Sequence, residues 1–122
     1  MKKVLLYTKN NEKKEQIGKL CACLGAKLRD IKLSELDCTV MSIAAEKPLA
    51  LKNTAIPAMY VQPELLVFSG FEDVALDAFL VAYRRAGIEP VELKAVVTMY
   101  NANRTVYELT AMLTEESARL KV

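Results

Sequence analysis

The chain has 122 residues, enough to bury a core without disulfides or a structural metal. Its composition, 52% apolar and 26% charged, is that of an ordinary globular protein, and a net charge of +2 gives no general affinity for polyanions. With no histidine, the sequence excludes Ser-His-Asp and Cys-His catalysis and histidine metal sites; with four glycines, it carries neither a P-loop nor a dinucleotide fingerprint.

Lys2 and Lys3 precede a short apolar run, Val4 to Tyr7, that ends in Thr8-Lys9-Asn10. An export signal needs about 7–15 apolar residues and a membrane helix about 18, so the expectation is a cytoplasmic protein with no membrane contact. Lys3 to Thr8 reads as the first strand. Asn10 or Asn11 can cap the helix that follows from about Glu12 to Leu24, whose Ile17, Leu20, Cys21 and Leu24 form one apolar face. Gly25 stands where a left-handed helix terminator is wanted. A charged strand, Lys27 to Leu33, reads as a sheet edge. Ser34 then predicts a helix start, with Leu36, Val40 and Ile43 as its apolar face to about Ala45.

Pro48, Pro57 and Pro63 break up residues 46–63, yet that stretch holds Leu49, Leu51, Ile56, Met59, Tyr60 and Val61. It reads as a packed connector. The run Leu65 to Ser69 is continuously apolar, as a strand covered on both faces would be. The helix from about Asp73 to Ala86 turns Leu76, Phe79, Leu80 and Tyr83 to a core. It also bears a second apolar stripe, Val74, Ala78 and Val81, which calls for cover by the connector or by a second copy. Gly87 ends this helix as Gly25 ends its counterpart. Val91 to Thr98 reads as the last strand, and Thr105 with Glu108 as the capping box of a final helix reaching about Glu116.

The order repeats. Val4-Leu5-Leu6-Tyr7-Thr8 echoes in Leu65-Leu66-Val67-Phe68-Ser69, offset by 61 residues at Tyr7/Phe68 and by 62 at Gly25/Gly87, and Asp30-Ile31-Lys32 echoes in Glu92-Leu93-Lys94. The predicted fold is α/β, a single domain over 1–122. Two β-α-β-α units, 1–45 and 64–116, are joined by the connector 46–63. They form one four-stranded, mainly parallel sheet with helices on both faces. The alternative is a ferredoxin-like α+β arrangement with two extra helices. Residues 1–62 carry a charge of +5 and residues 63–122 a charge of −3, which reads as the scatter of an ordinary surface or, alternatively, as opposite charge that favours docking of the halves on each other or a polar dimer.

In a parallel sheet the C-terminal strand ends share one edge, and ligands bind there. That edge would gather Lys9, Asn10, Ser69, Gly70, Asn101, Asn103 and Arg104. The same residue types also serve turns and helix caps. Cys21 and Cys23 diverge on a helix, so with Cys38 they predict buried, inert thiols without metal. Lys32 and Lys94 read as solvated strand faces. No cofactor and no activated catalytic pair is indicated.

Leu66-Val67-Phe68-Ser69-Gly70-Phe71, Leu76-Asp77-Ala78-Phe79-Leu80 and Leu93-Lys94-Ala95-Val96-Val97-Thr98, with Asn101 and Thr105, resemble an uncharacterised bacterial family, domain of unknown function thirty-seven eighty-three, over about residues 64–116. That family commonly has proline where this chain has Met99 and tryptophan where it has Arg104. The resemblance implies bacterial origin and the fold and supplies no activity. The expected function is a non-catalytic binding or regulatory module acting through protein–protein contacts, as a homodimer or with another protein, nucleic acid being disfavoured. The alternative is a small-molecule or anion site at the strand-end edge, with or without catalysis.

Overall fold

The computed structural model describes residues 2–51 and 55–120, the last four as backbone only. The elements run β1 (Lys3–Tyr7), α1 (Asn11–Cys23), β2 (Lys27–Asp30), α2 (Val40–Ala44), β3 (Leu65–Ser69), α3 (Asp73–Arg85), β4 (Leu93–Val96) and α4 (Val106–Leu120), with one 3-10 turn at Leu33–Glu35. Residues 52–54 of the connector lie outside the described residues.

One four-stranded sheet has the order β2-β1-β3-β4. β1 and β2 pair in parallel, as do β3 and β4, but the central pair β1 and β3 is antiparallel, with Leu5 opposite Val67. The sheet is therefore mostly parallel with one reversal at its centre. In a ferredoxin-like sheet a strand of the other half separates the two strands of each unit, so all neighbours are antiparallel; the parallel neighbours β1/β2 and β3/β4 exclude it.

Strand alternation sends side chains to two layers. Val4, Leu6, Leu66 and Phe68 pack with Ile17 and Cys21 of α1 and Phe79 and Tyr83 of α3. Leu5, Tyr7, Leu65, Val67 and Leu93 pack on the other side with Val40 and Ile43 of α2 and Val106 and Leu109 of α4. Helices thus cover both faces.

The two halves share an element order, and Gly25 and Gly87 follow α1 and α3 at φ of 70° and 69°. A left-handed backbone there suits glycine and resists any other residue. The register of the echo differs from the sequence reading. Tyr7 and Phe68 lie on opposite faces, whereas an offset of 62 keeps Leu5 with Val67 and Leu6 with Phe68 on common faces. At the far strands the correspondence also shifts. The Ile31 N–H donates to the Leu6 carbonyl as the Val97 N–H donates to that of Phe68. Ile31 therefore matches Val97, and Lys94 within β4 matches Leu28, not Lys32.

The helix expected from Ser34 is not formed. Backbone groups it would need are taken elsewhere: the Thr39 N–H donates to Leu49 O, the Val106 N–H to Cys38 O and the Tyr107 N–H to Leu36 O. Beyond the 3-10 turn at Leu33–Glu35, only Val40–Ala44 turns helical, capped by Thr39 through the Ser42 N–H. β2 and β4 are also shorter than expected, whereas α4 runs beyond Glu116 to Leu120. Asn10 caps α1, and the Thr105–Glu108 capping box closes with bonds of 3.0 and 3.1 Å.

The connector packs on the α2/α4 layer. Ile56 and Tyr60 join that core, and buried Gln62 accepts from the Tyr60 hydroxyl and donates to Thr110 Oγ1 on α4. Tyr60 meets Tyr107 edge-on at 4.9 Å. The connector therefore does not cover α3, which lies on the opposite face.

Candidate interaction surface

The antiparallel centre divides the expected ligand edge. Lys3 pairs with Ser69 and Tyr7 with Leu65, so the C-terminal end of β1 sits beside the start of β3. Lys9 and Asn10 leave the sheet at one edge. Ser69 ends β3 at the other, where Gly70 follows it and Asn101, Asn103 and Arg104 follow β4. Their polar groups serve the backbone. Asn10 Oδ1 accepts from the Lys13 N–H. Asn101 Oδ1 accepts from the Thr98 N–H at 2.9 Å, and its Nδ2 donates to Val96 O at 3.0 Å. Gly70 makes the β3–α3 turn at φ 76°, the Arg104 carbonyl accepts from the Val40 N–H, and Lys9, Asn103 and the Arg104 side chain are exposed.

The densest polar cluster was not among the expected residues. Lys13 of α1, only 5% exposed, donates to both Glu64 oxygens at 2.8 and 3.1 Å and to Pro90 O at 3.1 Å. Thr8 Oγ1 donates to Glu64 at 2.5 Å. Burial raises the Glu64 carboxyl pKa, but the bonds from Lys13 and Thr8, the Lys13 charge and the Glu92 N–H outweigh it, and the pKa ends below the ordinary value. All three ammonium protons are used, so the group clamps α1, the connector end and the α3–β4 loop. Nearby, Tyr83 donates to Glu89 O, and burial pushes its hydroxyl up to about 12. A second pair, Arg29 with Glu35, is bidentate at 2.7 Å and guards the β2 edge; the bond from Arg29 holds the Glu35 carboxyl low against its burial. Neither cluster leaves a nucleophile beside a free base.

The cysteines separate. Cys21 lies in the α1/α3 layer and Cys38 in the α2/α4 layer, but Cys23 is exposed and not buried as expected, because two positions on from Cys21 a helix turns the side chain away from the core. The first two thus sit on opposite sides of the sheet and cannot share an ion. Among the described residues no group of three or more His, Cys, Asp or Glu could hold a metal. Burial pushes the Cys21 thiol up to about 11. In native protein, a disulfide reagent at pH 8 should therefore modify Cys23 at least about tenfold faster than Cys21 or Cys38; equal rates at the three thiols would contradict this.

The surface that stands out is apolar and belongs to α3. Phe79 and Tyr83 face the core, so the opposite side of the helix turns Val74, Ala78 and Val81 to solvent. Val74 is 83% exposed and Val81 40%. Asp77, Ala78, Val81, Ala82, Arg85 and Ala86 line a shallow trough along it. Sequence periodicity identifies this stripe, and nothing in the described chain covers it.

Residues 64–120 match the family model described as "Domain of unknown function (DUF3783)". The matched segment takes in the second unit, β3-α3-β4-α4, and hence the whole α3 surface. No curated protein and no solved structure matches the chain. Among the described residues no helix is long and apolar enough to cross a membrane.

Proposed function

We propose that the protein is a non-catalytic, cytoplasmic binding module built from two copies of one β-α-β-α unit. It acts through protein–protein contacts, and the α3 face joins two copies of the chain. The observation that carries this is the exposed stripe of Val74, Ala78 and Val81, a set of apolar side chains aligned on one helix and left in water. Charge supports a second copy as the cover. Asp77 and Arg85 each stand four residues from Val81. If two α3 helices cross antiparallel with the two-fold axis at Val81, Asp77 of each meets Arg85 of the other. The small Ala78 and Ala82 permit close approach.

Two variants test this. Val81→Glu should give a folded monomer by sedimentation, because a charge is stranded at the axis. Asp77→Arg and Arg85→Asp should each weaken the dimer, and the double exchange should restore it. Wild-type protein that sediments as a monomer at high micromolar concentration would reject the contact between copies.

A further inference from the structure

We propose that the outer edge of β4 takes an extended segment of a partner protein as a fifth strand, antiparallel, with an acidic side chain set on Lys94. This site is separate from the α3 solvent face and does not depend on it.

The two sheet edges are built differently, and comparing corresponding residues shows how. At the β2 edge, Leu28 faces α1, and a Cβ built on Gly18 would lie 3.5 Å from its Cδ2. Helix and strand therefore close on each other. That edge also carries Lys27, Arg29 and Asp30, tied by ion pairs to Glu46, Glu35 and Lys14. Such charged, occupied edges resist strand addition.

At the β4 edge the sizes are exchanged. Leu80 stands 62 residues after Gly18, and Lys94 takes the place of Leu28. A bulky helix residue and a strand side chain that leaves for solvent hold α3 and β4 apart. The result is a groove of about 180 Å³ lined by Phe68, Leu76, Leu80, Lys94, Ala95 and Val96. Val96 is 36% exposed, and Lys94 makes no ion pair among the described residues.

The backbone specifies what fits. Leu93 donates to the carbonyl of Glu64, just before β3, and Val97 to that of Phe68 within it, so the alternation of a parallel ladder points the N–H and C=O of Lys94 and Val96 outward. The Val96 carbonyl is already taken by Asn101 Nδ2. Lys94 can thus exchange two hydrogen bonds with one residue of an antiparallel strand, and the Val96 N–H offers another. The residue opposite Lys94 lies on the groove face, where a carboxylate meets the ammonium. Residues two positions to either side reach toward Leu76 and Leu80 if they are apolar.

The probe is acetyl-Val-Thr-Glu-Thr-Val-Thr-amide, with a control in which lysine replaces glutamate, titrated into isotope-labelled wild-type protein. Expected are saturating shifts at the Lys94 and Val96 amides and the Leu76 and Leu80 methyls, with the control at least about threefold weaker. Val96→Pro removes an outward N–H and no bond to β3, and should weaken binding at least about tenfold. Lys94→Glu should reverse the preference between the two peptides, and this readout stands even if the proline variant folds poorly. Unchanged affinity in a folded Val96→Pro, shifts confined to other surfaces, or no response at millimolar peptide would overturn the proposal. Concentration-dependent protection of the Lys94 and Val96 amides without peptide would also overturn it, by giving the edge to a second copy.

Discussion

Replacing Phe79 by alanine should bring the protein close to unfolding at room temperature. The Phe79 side chain is fully buried, and its ring meets those of Phe68 and Phe71 edge-on at 5.2 and 5.8 Å. Truncation loses the transfer of a whole ring from water and leaves a cavity between α3 and β3, at a cost of about 3–5 kcal/mol. A domain of this size has about 5–15 kcal/mol in total. Urea denaturation should show the midpoint falling with the slope retained. A loss under about 1 kcal/mol would mean that α3 is not fixed on the sheet by this cluster, and the α3 face and β4 groove would lose their support.

The second large effect is asymmetric. Removing Glu64 should cost far more than removing the pair. Glu64→Leu leaves the Lys13 ammonium buried with only the Pro90 carbonyl, a loss of about 3 kcal/mol or more. Lys13→Met should cost less, because Glu64 is 26% exposed and keeps Thr8 and the Glu92 N–H as donors. The double variant Lys13→Met with Glu64→Leu should return to within about 1 kcal/mol of wild type. Additive losses in that cycle would show that the two groups act independently.

Acid should reveal the same pair. The native Glu64 carboxyl has a lowered pKa, so as pH falls the unfolded chain takes up the proton first. Stability from this group is full above the ordinary carboxylate range of about 4.3 and is lost as pH drops through the lower native value. Glu35 contributes in the same direction. The thermal midpoint should fall below about pH 4, and Glu64→Gln should flatten that fall.

Local pattern made the elements readable where local forces decide them. Gly25 and Gly87 mark helix ends because a positive φ excludes other residues, and Leu65 to Phe68 reads as doubly covered because every side chain there is buried. The orientation of β3 against β1 was not readable. A continuous apolar strand presents the same pattern in both directions, and the connector that decides it has no regular periodicity. With the orientation went the expected ligand edge. Ser34 misled because a capping pattern is local, while the backbone of residues 36–39 is claimed by pairs with residues 49–51 and 105–107. Lys13 was missed because it is charged, although its spacing of four from Ile17, and of four again to Cys21, puts it on the buried face. The α3 stripe was legible, since exposure on a helix follows from spacing once the core face is known.

The reversed central pair has an electrostatic consequence. Each strand-to-helix unit runs its helix back against its strand, so α1 and α3 run in opposite directions and their macrodipoles oppose. A wholly parallel sheet gathers positive helix ends at one rim and gains a field there. This molecule has no such rim. Its field comes instead from side chains, and the first half is basic where the second is acidic. The halves lie side by side across the sheet, β2 at one flank and β4 at the other. The contrast in charge therefore lies across the strands and not along them, and Lys94 stands as a cation on the acidic flank.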